Sequence, residues 1–194
     1  MNLVDRAKKI LLQPKSEWAV IAAEPHTVQD LYTGYVMILA AIPVVATFIG
    51  TSIVGVGFLG HVYHVPITAA LAQLVLSYVL SLATVYVLAL IIDALAPNFG
   101  GEKNFIQALK VAAFAPTASW IAGIFAIIPL LAIIGLLGSL YSLYLLYLGL
   151  PALMRVPEEK GVVYTVVVVI VAIVLAIVVG ALAGMVVPSP MRGF

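Results

Sequence analysis

Three stretches of this chain contain no Asp, Glu, Lys or Arg: Leu31 to Ile92, Val111 to Met154 and Gly161 to Met191. A helix crossing ~30 Å of hydrocarbon at ~1.5 Å per residue needs about 20 apolar residues. At 62, 44 and 31 residues, the stretches hold two, two and one spans.

Composition closes the alternatives. Hydrophobic residues make up 64% of the chain and charged residues 9%, against about a quarter charged in soluble proteins. Only helices and closed barrels satisfy their backbone groups inside lipid. The alternation of a barrel strand is missing from runs such as Val166 to Val179. The expected fold is therefore all-α: a polytopic membrane protein with five transmembrane helices and an N-terminal interfacial amphipathic helix. A net charge of +1 supplies no broad field for nucleic acid. The absence of Cys excludes disulfides, thiol redox chemistry and thiolate metal sites. The first 32 residues hold four Lys or Arg but no uninterrupted apolar core, so the first span is expected to direct insertion itself.

Residues 1–32 read as an N-terminal segment. Leu3, Val4, Ala7, Ile10 and Leu11 fall at helical spacing with Arg6, Lys8 and Lys9 opposite, which predicts a helix capped by Asn2 and Asp5 and lying flat on the membrane. Pro14 interrupts it, Trp18 is expected at headgroup depth, and Pro25 ends a second short piece. Thr27 and Asp30 are spaced as a capping box before the first span. Residues 33–187 form the transmembrane domain, with spans at about 33–57, 67–92, 105–128, 130–150 and 162–187, and 188–194 is a short tail. Pro129 marks the reversal in the second stretch, since 44 helical residues would extend ~66 Å.

Basic residues set the expected orientation. Arg6, Lys8, Lys9, Lys15, Lys103, Lys110, Arg155 and Lys160 fall on one side and only Arg192 on the other, which places the N-terminus in the cytoplasm, the C-terminus outside and the protein in a plasma (inner) membrane.

On the second span Gln73, Ser77, Ser81 and Thr84 form a polar stripe. It reads first as interhelical hydrogen bonding and second as a wetted path or ligand groove. Small residues recur every fourth position as Ala115, Ser119 and Gly123 on the third span, and as Ala172, Ala176, Gly180 and Gly184 on the fifth. Such ladders let helices approach closely. Packing within one chain is the first reading, and a homo-oligomer through Gly180 and Gly184 the second. Pro43 and Pro116 fall inside spans and are expected to kink them. His61 and His64 lie three apart without an acid or Cys nearby, too few ligands for a metal site. Neither a metal nor a cofactor is expected.

The end of the fourth span reads Leu140-Tyr141-Ser142-Leu143-Tyr144-Leu145-Leu146-Tyr147-Leu148-Gly149-Leu150-Pro151. Tyr144 and Tyr147 suit the interface, and Gly149 with Pro151 is expected to end the helix. This run, with Tyr141, Tyr144, Tyr147, Gly149 and Pro151, resembles the corresponding end of the fourth span in the Yip family, five-span proteins first named for binding Ypt/Rab GTPases. Ala40-Ala41-Ile42-Pro43 and Phe48-Ile49-Gly50-Thr51 are similar to the first span of its bacterial inner-membrane branch. Pro14, Trp18 and Glu24 fit that branch's lead-in, and Asp30-Leu31-Tyr32 resembles the start of a motif in eukaryotic members, with Thr33 and Gly34 standing where those have Gly-Pro.

The resemblance implies a non-enzymatic, membrane-organising or lipid- or partner-binding protein. Its expected partners are membrane lipids and a cytoplasmic protein, with no nucleic acid. The alternative is a small transporter or channel for a small solute, ion or lipid, its path lined by the polar stripe. An intramembrane enzyme has no assembled catalytic set in this sequence, and no acidic or basic residue is expected at mid-depth.

Overall fold

The computed structural model describes residues 2–58 and 61–184; the expected end of the fifth span, the tail at 188–194 and Arg192 lie outside them. Among the described residues five helices are long and apolar enough to cross a membrane, so the chain is an all-α polytopic membrane protein.

Two short helices come first, α1 (Leu3–Leu12) and α2 (Pro14–Ala23). Asn2 caps α1 by accepting from the Val4 amide at 3.0 Å, and Pro14 occupies the first turn of α2, where its missing N–H costs nothing. Both are docked on the bundle by one face. Ile10, Trp18 and Ile21 are fully buried in the core, so the inner face of each helix and the Trp18 indole pack on protein while the outer face stays exposed.

The first span begins at α3 (Val28–Leu31), where Thr27 and Asp30 complete a reciprocal capping box. It continues through a π-helical turn (Tyr32–Val36), α4 (Met37–Ile49) and a second π turn (Gly50–Val54). The helix runs on through Pro43. Gly55 then turns the chain at φ +84°, where a Cβ would lie 2.5 Å from Val62 Cγ1. Strands β1 (Val56–Phe58) and β2 (His61–Tyr63) pair antiparallel, with Val56 opposite Tyr63.

The second span is α5 (Ile67–Leu95), extended by a 3-10 turn (Ala96–Phe99) to Gly100 at φ +78°. The third is broken by Pro116 into α6 (Phe105–Phe114) and α7 (Thr117–Ala122), followed by a 3-10 turn (Gly123–Ile127). Ile128 is extended ahead of Pro129, as the steric demand of proline on its predecessor requires. A 3-10 turn (Pro129–Ala132) leads into α8 (Ile133–Met154), and α9 (Glu158–Gly184) is the fifth span. Gly149 and Pro151 do not end α8, contrary to expectation; the helix stops at Met154, before Arg155 at φ +52°.

Helix α6 is the hub: every residue from Ala108 to Phe114 is buried. Its alanines at 108, 112 and 113 let neighbours approach from all sides. The largest fully buried side chains include Trp18, Tyr35, Phe114, Tyr164 and Lys110. They collect where the N-terminal helices, the end of α5 and the end of α8 meet, so the dense core sits at one end of the bundle. The Glu102 amide donates to the Met154 carbonyl at 3.0 Å, bringing the two charged connections together at that end.

The N-terminal clamp and a polar cavity between the first two spans

Arg6 was expected on the solvent face of α1, yet it is buried. Its guanidinium donates to Glu17 and to Glu24 and lies 5.9 Å from the centre of the Phe114 ring. A buried charge is tolerated only when paired and hydrogen-bonded, and two carboxylates meet that demand. The Arg6 hydrogen bond holds the Glu24 carboxyl below the usual glutamate range. His26 Nε2 stands 3.7 Å from the same carboxylate. Spacing along α1 gave no hint of this, because both acids belong to the next helix and its exit loop.

Lys110 approaches from α6. Its Nζ donates to the carbonyls of Glu24 at 2.6 Å and Ile21 at 2.9 Å, while Gln107 Nε2 donates to the Ala22 carbonyl at 3.0 Å. The last carbonyls of a helix have no partner within it. Here side chains from the third span supply donors to the end of α2, and Tyr141 does the same for α1, donating to the Leu11 carbonyl at 2.7 Å. Both N-terminal helices are thus fastened by their C-terminal ends.

Gly149 makes room for the clamp. A Cβ there would fall 2.6 Å from Cζ2 of Trp18, inside the indole ring's space. Of the residues in the motif at the end of α8, Tyr141 and Gly149 therefore seat the N-terminal segment. Tyr144 and Tyr147 are exposed at 40% and 43%, where an aromatic belt belongs. Pro151 packs near Gly161 of α9.

The outer face of the clamp is exposed and mixed. Val4, Lys8 and Leu12 follow one another at four-residue spacing on α1, with Lys9 beside them and Lys15 on α2. Val4 and Leu12 are exposed at 66% and 71%.

The polar stripe of α5 divides. Gln73 and Ser77 line a cavity of about 150 Å³ between the first and second spans, together with Pro43, Thr47 and Thr51. Ser81 and Thr84 turn back on their own helix, donating to the carbonyls of Tyr78 and Leu80 at 2.7 Å. Sequence reasoning missed the tyrosines that stitch the spans: Tyr78 donates to the Met37 carbonyl, Tyr32 to Leu82 and Tyr164 to Ile92.

The ladder on the third span packs inside the chain. Ala115 is buried, the Ser119 amide donates to Ser142 Oγ at 3.0 Å, and a Cβ on Gly123 would meet Pro43. On the fifth span Ala176, Gly180 and Gly184 are exposed, Ala172 is partly so, and no described residue stands within 4 Å of a Cβ built at either glycine.

The family model for the Yip1 domain matches residues 8–180, from the clamp to the fifth span. The chain belongs to the Yip1 family. Curated relatives of this Yip1-domain protein include Inner membrane protein YohC from Escherichia coli strain K12 and from E. coli O6:H1 strain CFT073. Each is 31% identical over 156 residues, which is 78% of this chain and 80% of the relative. No solved structure matches it.

Proposed function

We propose that this Yip1-family protein is a non-enzymatic organiser of the inner membrane, and that its N-terminal clamp presents a rigid basic and apolar face to anionic lipid headgroups. The carrying observation is the division of the clamp's charges. Arg6 is spent on Glu17 and Glu24, whereas Lys8, Lys9 and Lys15 are exposed beside Val4 and Leu12. Basic side chains held at the surface of an anionic leaflet contribute about 1 kcal/mol each, and apolar neighbours add burial at the acyl boundary. Because the clamp is bolted to α6 and α8, such a contact holds the whole bundle at a fixed depth and angle. A cytoplasmic protein partner would meet the same face.

The excess of Lys and Arg on the clamp side supports a cytoplasmic N-terminus and an extracytoplasmic C-terminus. The name of the E. coli relatives supports inner-membrane placement.

Deleting residues 2–13 is a poor test, since Arg6 and Ile10 belong to the core. Charge reversal is cleaner: with Lys8→Glu, Lys9→Glu and Lys15→Glu combined, phosphatidylglycerol retained per purified chain, read by native mass spectrometry, should fall at least about tenfold. Unchanged retention by a folded triple variant would refute the role of this face.

A further inference from the structure

The cavity between the first two spans lies away from the clamp, toward the β1–β2 end of the bundle. Helix α5 has 29 residues and is ~43 Å long, so when centred it overshoots ~30 Å of hydrocarbon by about 6 Å at each end. Gln73 is six residues, ~9 Å, from the start of α5, which puts its amide at the boundary where lipid ester groups lie. Ser77 is about one turn deeper.

Its polar lining is unspent. Neither the Gln73 nor the Ser77 side chain hydrogen-bonds to another described residue. The Thr47 hydroxyl donates to the Pro43 carbonyl at 2.8 Å and the Thr51 hydroxyl to the Thr47 carbonyl at 2.9 Å, so both keep free acceptor lone pairs. At the edge of the hydrocarbon a half-buried amide without a protein partner is costly, and a half-open polar cleft of this kind draws a hydrogen-bonding guest. None of the residues lining the cavity is ionisable, which disfavours phosphate and ammonium groups. The lining offers donors from Gln73 and Ser77 and acceptors from Gln73, Thr47 and Thr51, a set that matches hydroxyl and ester oxygens. At about 150 Å³ the space exceeds the ~30 Å³ share of one water several times over, enough for a three-carbon polyol fragment.

We propose that this cavity binds an uncharged glycerol moiety, carried by a membrane lipid with a free hydroxyl or by a free polyol. The proposal is independent of the clamp face and of its lysines.

The test uses the full chain in dodecyl maltoside, a detergent without a glycerol backbone, with dioleoylglycerol and free glycerol as separate probes. Wild-type protein should retain one dioleoylglycerol in native mass spectrometry, with retention falling about tenfold, or 1.4 kcal/mol, in Gln73→Met and in Ser77→Ala but not in Ser81→Ala. If dioleoylglycerol is not retained but glycerol raises the Tm of wild type and not of Gln73→Met, the guest is the free polyol. Equal behaviour of wild type and both cavity variants toward both probes overturns the site and leaves water as its occupant. Gln73→Met keeps the side chain's shape and removes only the amide. Failure of that variant to fold would show the amide to be paired within the protein, and would overturn the proposal too.

Discussion

Gly149 and Trp18 show how much one missing methyl group decides. The indole is 1% exposed and occupies the space where a β-carbon of residue 149 would stand. Gly149→Ala must displace Trp18 from a packed site, and overpacking of this kind costs about 1–3 kcal/mol. The expected outcome is a lowered SDS-unfolding midpoint with a red-shifted Trp18 emission, measured in a Trp120→Phe background. Neither effect should appear in Tyr147→Phe, whose side chain is exposed. A second residue-scale expectation concerns pH. Arg6 keeps the folded-state Glu24 carboxyl below its ordinary value of 4.5, so the unfolded chain takes up this proton first as pH falls. The stabilisation is complete above 4.5 and is lost as pH drops through the lower folded-state value. Trp18 emission should therefore hold steady from pH ~7 to ~5 and shift only as pH falls further, through the lowered carboxyl range. Arg6→Met should abolish that acid step. The sequence offered Trp18, Gly149 and Arg6 as separate readings: a headgroup aromatic, a helix terminator and a solvent-facing base. Each acts through a partner: Trp18 and Gly149 meet across more than a hundred residues, and Arg6 pairs with acids on the next helix and its exit loop, so neither pairing leaves a pattern within one helix.

Elements follow a different logic, because the backbone's needs are visible in sequence even when partners are not. The capping box at Thr27 and Asp30, the proline at the first turn of α2 and the reversal before Pro129 all form where residue chemistry demands them. Proline in the spans divides by context. Pro116 splits the third span, and the Ser119 amide just beyond it is satisfied from Ser142 on α8. Pro43 is carried within α4 and packs against Gly123. The small-residue ladders looked equivalent as spacings, yet one is interior and the other faces outward. Two alanine substitutions separate them. A Cβ on Gly138 of α8 would collide with the Ala122 Cβ and stand 2.8 Å from the Ala118 carbonyl, so Gly138→Ala should destabilise the α7–α8 contact by about 1–3 kcal/mol. Gly180→Ala meets open space and should be neutral or stabilise α9 by up to about 1 kcal/mol through helix propensity. SDS-unfolding midpoints of the two variants should move in opposite directions or differ by that margin; equal losses would mean that α9 is packed where the structure leaves it bare.

For the whole molecule, the span count was legible because lipid imposes a length on every crossing, and the family because its motif lies where helices must touch. The cavity was not, since Gln73 and Ser77 share a face with Ser81 and Thr84 and only the path of the first span separates them. Sidedness joins both scales. The clamp, the connection after α5 and the connection after α8 meet at one end, and 16 of the chain's 17 formal charges belong to these parts or border them. The β1–β2 hairpin at the other end has no Asp, Glu, Lys or Arg. An insertion machinery that retains Lys and Arg in the cytoplasm would then leave Val62 outside and Lys8 inside. Because the chain has no Cys, single replacements read this directly. In intact cells Val62→Cys, at a position 61% exposed, should react with a membrane-impermeant maleimide, and Lys8→Cys should react only after the membrane is opened. Reversed labelling would turn the protein over and place the basic face of the clamp outside the cytoplasm. Both positions are exposed, so a difference between them reports the membrane and not the fold.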